Sequence, residues 1–144
     1  MDLRYCSAMK RLAAIAAAAA LLACSDIHFE TQATYRAPAG RFDLSIHVIG
    51  VVPAGHDLAS QSTADVHVAP LAGGRPIDLR VSLPKPADGV DVAARIREAG
   101  YEAPPAELDE VNRVVDLALR GSKATLVKGQ TRALEVVDVR FSYR

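Results

Sequence analysis

Glu30, His47 and His67 are the residues of this chain whose types could do chemistry together, because one carboxylate and two imidazoles are the ligand set of a zinc ion with one position left open. All three fall on the polar phase of alternating segments. If Tyr35 pairs with Phe42 in a first hairpin, Glu30 faces His47. If Ile46 pairs with Val68 across the next connection, His47 faces His67, and the Gly73-Gly74 turn then sets His67 opposite Arg80. Directly opposed residues hold their Cβ atoms about 4.5–5.5 Å apart, near enough to share a cation. The same row reads more simply as a solvated polar strip, which is the favoured reading. His56 is expected in a solvated loop. Asp43, Asp65 and Asp78 alternate with apolar neighbours as exposed strand carboxylates do, and nothing in the spacing sets two of them at a glycosidase separation.

Other catalytic constellations are missing from the sequence. There is no His-Glu-x-x-His, no Cys-x-x-Cys, no Gly-x-Ser-x-Gly and no Walker phosphate loop. Gly121-Ser122-Lys123-Ala124-Thr125 shares a few letters with such a loop but lacks its upstream glycine and its following helix, and reads as a helix stop. No catalytic residue and no cofactor are expected, so the chain is read as a non-enzyme.

The elements that position the polar row follow from periodicity. Ile27, Phe29, Thr31, Ala33 and Tyr35 alternate with His28, Glu30, Gln32, Thr34 and Arg36; Pro38-Ala39-Gly40 supplies turn chemistry; Phe42, Leu44, Ile46 and Val48 form the return strand. Pro53 to Thr63 is expected to be the longest loop. Strands around Val66-Val68 and Ile77–Leu83 complete a four-stranded antiparallel meander with one apolar face. Asp91 caps a short helix ending at Gly100, and a longer helix runs from Pro105 to Arg120 with Gly121 as its stop. Leu108, Val111, Val115 and Ala118 are its buried stripe, with Asp109–Arg113 and Asp116–Arg120 as exposed pairs. A last hairpin is expected around Gly129, from Ala124–Lys128 and 133–144, with a bulge near Val136 and Val137. The fold class is α+β, an antiparallel sheet (meander plus C-terminal hairpin) with two helices packed on one face. The alternative is a β-sandwich with a helical insertion at 88–121.

The N-terminus carries an address. Lys10 and Arg11 precede an unbroken apolar run from Leu12 to Ala23, long enough for a signal-peptide core and too short to span a bilayer, which takes about 20 residues. Met9-Lys10-Arg11 could itself open that signal. Leu21-Leu22-Ala23-Cys24 resembles the lipobox of bacterial lipoproteins, a resemblance confined to residues 9–26. It implies cleavage between Ala23 and Cys24, a diacylglyceryl thioether on Cys24, and acylation of the new amino terminus. Ser25 is compatible with sorting to the outer membrane, facing the periplasm, although Asp26 follows it. The domain division is therefore 1–23 signal peptide and 24–144 a single α+β domain. With Ile27 opening the first strand, the tether is at most about 3.5 Å per residue and the domain sits close to the bilayer; His28 lies beside the lipid.

Composition bounds the rest. The full chain balances 17 Lys plus Arg against 17 Asp plus Glu, and losing the leader removes more basic than acidic residues, so no basic field attracts nucleic acid. Cys6 lies in the leader and Cys24 is the acylation site, leaving no disulfide. The expected partners are the membrane, through the lipid, and another envelope protein; the expected role is a non-enzymatic binding or assembly-accessory domain. A periplasmic metal binder using Glu30, His47 and His67, or an inhibitor of an envelope hydrolase, are the alternatives.

Overall fold

The computed structural model describes residues 25–84, 91–121 and 133–143. Five strands, β1 (Ile27–Ala37), β2 (Phe42–Val52), β3 (Gln61–Pro70), β4 (Ile77–Leu83) and β5 (Glu135–Tyr143), form one antiparallel sheet in the order β4-β3-β2-β1-β5. Helices α1 (Val92–Glu98) and α2 (Pro105–Leu119) form the second layer, α2 against β2 and β3 and α1 against α2. The fold is α+β with both helices on one face, rather than a β-sandwich with a helical insertion. Among the described residues no helix is long and apolar enough to cross a membrane.

Alternation in the sequence becomes alternation in burial. Tyr35, Phe42, Leu44, Ile46, Val48, Val66 and Val68 point at the helices and are fully buried, joined by Ile96 from α1 and by Leu108, Val111 and Leu119 from α2. The side chains between them on each strand form the opposite face, which neither helix covers.

The registers differ from those expected, each time by two residues. Tyr35 pairs with Leu44, Ile46 with Val66, and His67 with Asp78. A shift of two preserves which face every side chain takes, so hydrophobic patterning fixes the parity of a pairing and leaves its register to the turn. The centre of the first turn lies one residue further along the chain than expected: Ala37 pairs with Phe42, leaving 38–41 as the turn, and Arg41 N–H donates to Ala37 O at 2.8 Å. Arg41, at φ 56°, takes the left-handed conformation there, whereas Gly40 serves for clearance: a Cβ on it would lie 2.7 Å from Phe42 Cε1 and 2.9 Å from Ala103 Cβ.

The expected long loop shortens to 53–60, since β2 continues to Val52 and β3 begins at Gln61. It closes the end of α2, where carbonyls lack helical partners. Ala59 N–H donates to Arg120 O at 2.9 Å, and Ser62 Oγ donates to Leu119 O at 2.6 Å. On β5 the register steps from Thr34–Asp138 to Tyr35–Val136, leaving Val137 as the extra residue of the expected bulge. The expected strand Ala124–Lys128 lies outside the described residues.

Both helices begin and end where capping chemistry places them. Asp91 accepts from Ala94 N–H at 3.0 Å and from Asn112 Nδ2 at 2.9 Å, while Asn112 Oδ1 accepts from Ala93 N–H. One side chain thus caps α1 and ties it to α2. The hydrogen bond from Asn112, then that from Ala94, holds the Asp91 carboxyl below its ordinary pKa. Asp91→Ala is expected to cost about 1 kcal/mol at neutral pH. A depressed folded-state pKa stabilises fully above the unfolded value, about 3.9, and the gain is lost as pH falls through the folded value. The gap between wild type and D91A in urea unfolding should therefore close in acid, and a gap unchanged there would contradict this role. On α2, Asp116 pairs with Arg120 as expected, but Arg113 pairs with Glu110 rather than Asp109.

Candidate functional site

The uncovered face of β1–β4 is lined by polar side chains at the positions the alternation assigns to it. Its centre is a shallow dish of about 570 Å³ bordered by Gln32, Thr34, Ser45, His47, Asp65 and His67, with Asp78 and Arg80 on the β4 side. The strands are joined there by cross-strand pairs, which are the sheet's counterpart of i,i+4 contacts on a helix. Arg36 donates twice to Asp43, at 2.8 and 3.1 Å; Thr34 and Ser45 hydroxyls meet at 3.4 Å; Arg80 Nε donates to Asp65 Oδ1 at 2.8 Å; His67 Nδ1 and Asp78 Oδ1 are 2.6 Å apart. Each of these joins directly opposed residues.

Glu30 and His47 meet by a different route. Their directly opposed partners are Ile49 and Gln32, yet Glu30 Oε1 lies 2.7 Å from His47 Nε2. Diagonal neighbours are within reach of long side chains, so the expected contact forms despite the two-residue slip. His67 is not brought to it. With His47 opposite Asp65 and His67 bonded to Asp78, the row splits into two pairs, and among the described residues no group of three or more His, Cys, Asp or Glu side chains is placed to hold a metal ion. The reason is the register across β2 and β3, which sets Ser45, not His47, against His67. His28 and His56 are exposed.

Two ion pairs, Arg36–Asp43 and Arg80–Asp65, set opposite charges against each other on this face. The Arg80 guanidinium, through its hydrogen bond and its charge, holds the Asp65 carboxyl below the ordinary carboxylate range, and Asp65 raises Arg80 in return. Both groups lie at the surface, where such a pair contributes little stability. Their effect is to fix side-chain positions. What remains for a ligand is a floor of hydroxyl and amide groups from Thr34, Ser45 and Gln32 inside a rim of paired charges, a surface equipped for hydrogen bonding. Sequence reasoning placed Asp65, Asp78 and Arg80 on the right face but missed their pairing, and it missed Gln32, Thr34 and Ser45 as a floor. Parity pointed to all six; only register groups them.

The opposite, helix-covered side of β1 holds two buried hydroxyls, Thr31 Oγ1 and Tyr35 Oη, without hydrogen-bond partners. Burial pushes the Tyr35 phenol up to about 12, against the lowering effect of Arg113. It is a neutral core group.

Comparison with protein-family models, with curated proteins and with solved structures yields no match.

Proposed function

We propose that this chain is a lipid-anchored envelope protein, acylated at Cys24, whose uncovered sheet face docks a partner protein in the periplasm without catalysis. The anchor reading rests on Leu21-Leu22-Ala23-Cys24 behind a basic, apolar leader. One structural observation supports it most: the fold takes hold of the chain almost at once. Asp26 Oδ1 accepts from Ala54 N–H at 2.8 Å and β1 opens at Ile27, so the residue after an acylated Cys24 is followed immediately by folded structure. Three acyl chains on one residue make a lasting attachment, since each buried methylene contributes about 0.8 kcal/mol and one chain alone holds only marginally.

The binding role is supported by the polar dish. Its charged side chains are engaged with each other across strands, and Gln32, Thr34 and Ser45 bring amide and hydroxyl groups to its floor. In this reading Ser25 favours the outer membrane.

Cells fed labelled palmitate are expected to incorporate label into the wild-type protein and none into Cys24→Ser. Equal labelling of both would remove the anchor. For the docking face, a photo-crosslinker at Ser45 should capture one defined envelope protein, and the same group at Arg97 on α1 should not.

A further inference from the structure

The end of the sheet where β1 starts carries several exposed apolar side chains. Seven large apolar side chains are exposed among the described residues: Ile27 (41%), Ile49 (60%), Leu58 (46%), Leu71, Val136, Val137 and Tyr143 (48%). Ile27, Leu58 and Tyr143 lie at the end where β1 starts, and Ile49 lies further back on the other face of the sheet. Ile27 pairs with Val52 at the end of β2; Leu58 is in the loop that leaves Val52; Tyr143 lies opposite Phe29; Ile49 is three residues back along β2. They come from three strands and a loop and surround the tethered end on both faces of the sheet. Ile49 also borders a hollow of about 300 Å³ with His28, Glu30 and Ser142.

We propose that this end is a membrane-resting surface, with Ile27, Ile49, Leu58 and Tyr143 seated at the headgroup and acyl boundary of the bilayer that holds Cys24. The inference rests on the anchor reading and deepens it. The occupant follows from the tether. Because Asp26 is bonded to Ala54 N–H, Cys24 and the folded chain are separated by two Cα steps, at most about 7 Å. An acylated Cys24 therefore cannot leave this end in bulk water. A rise of about 3.4 Å per residue puts Ile49 roughly 10 Å behind Val52, so it meets the boundary only when this end is seated to the full 5–10 Å over which interfacial apolar faces are buried. The described charged groups nearby, Asp26, Glu30, Asp57 and Arg120, form no basic patch to attract anionic headgroups, so the proposed contact is expected to be insensitive to salt. The strands then stand up from the bilayer. Leu71, in the β3–β4 turn, is the distal end, and the polar dish faces sideways, accessible to a partner.

The test uses the full chain purified from membranes and reconstituted into phosphatidylcholine vesicles, with a single environment-sensitive fluorophore at Leu58→Cys or, as control, at Leu71→Cys. The label at 58 should be quenched by brominated lipid and shielded severalfold from aqueous iodide relative to the label at 71, unchanged by added salt. Equal iodide access at both positions in protein whose intact mass shows acylated Cys24 overturns the membrane-resting surface and leaves the anchor standing. An unmodified Cys24 in that mass overturns the anchor, and the inference with it.

Discussion

Glu107→Ala is expected to cost about 2–4 kcal/mol in urea unfolding, an unusual loss for a charged residue in the first turn of a helix. Glu107 is only 4% exposed, and burying a carboxylate is unfavourable unless hydrogen bonds satisfy it. Here they do. Oε1 accepts from Ala39 N–H and Oε2 from Gly40 N–H, each at 2.8 Å, so α2 supplies acceptors for the β1–β2 turn. The N-terminal end of the helix dipole favours the charge as well. Truncation orphans two backbone donors, at about 1–3 kcal/mol each when water does not replace the carboxylate. Glu107→Gln keeps one acceptor oxygen but turns an NH₂ group toward a donor, and is expected to cost nearly as much. A loss under about 0.5 kcal/mol for E107A would show that water takes over the turn and that the joint is not structural.

Phe42→Ala is expected to be worse, about 3–5 kcal/mol. The ring is fully buried at the start of β2 and meets Tyr101 edge-on, with centroids 5.6 Å apart and planes at 89°. Tyr101 is itself fixed, its hydroxyl donating to Arg75 O at 3.1 Å. Truncation opens a cavity and removes the aromatic contact. Phe42, Gly40, Ala103 and Glu107 are packed within one joint between sheet and helices, so F42A and E107A should not add. A coupling of at least about 0.5 kcal/mol in the double mutant is expected. Additive losses would separate the turn's hydrogen bonds from the packing beneath it.

That joint marks where sequence reasoning runs out. Alternation placed Tyr35, Leu44, Val66 and the other strand residues on the correct faces, and the phase slip at Val136 and Val137 located the bulge. Asp91, Pro105 and Gly121 located helix ends through local chemistry. These signals are carried by neighbours in sequence. Register is not: the turn at 38–41 is centred one residue further along than Tyr35–Phe42 pairing would set it, with Glu107, far along the chain, accepting from its N–H groups and Arg41 at a positive φ. The same slip decided the polar face. Glu30 and His47 were joined because a diagonal contact tolerates it, while His67 went to Asp78. Glu107 and Glu110 are both buried, Glu107 against the turn and Glu110 against Arg113, which no local sequence signal announces.

Anchoring at Cys24 is the claim from which location, orientation and partner all follow. Intact-mass measurement of the protein extracted from its own membranes tests it most directly. The expected species begins at Cys24, lacks residues 1–23 and carries the added mass of a diacylglyceryl group and an amide-linked acyl chain. A chain retaining its leader, or one beginning elsewhere with Cys24 absent or unmodified, would contradict the account.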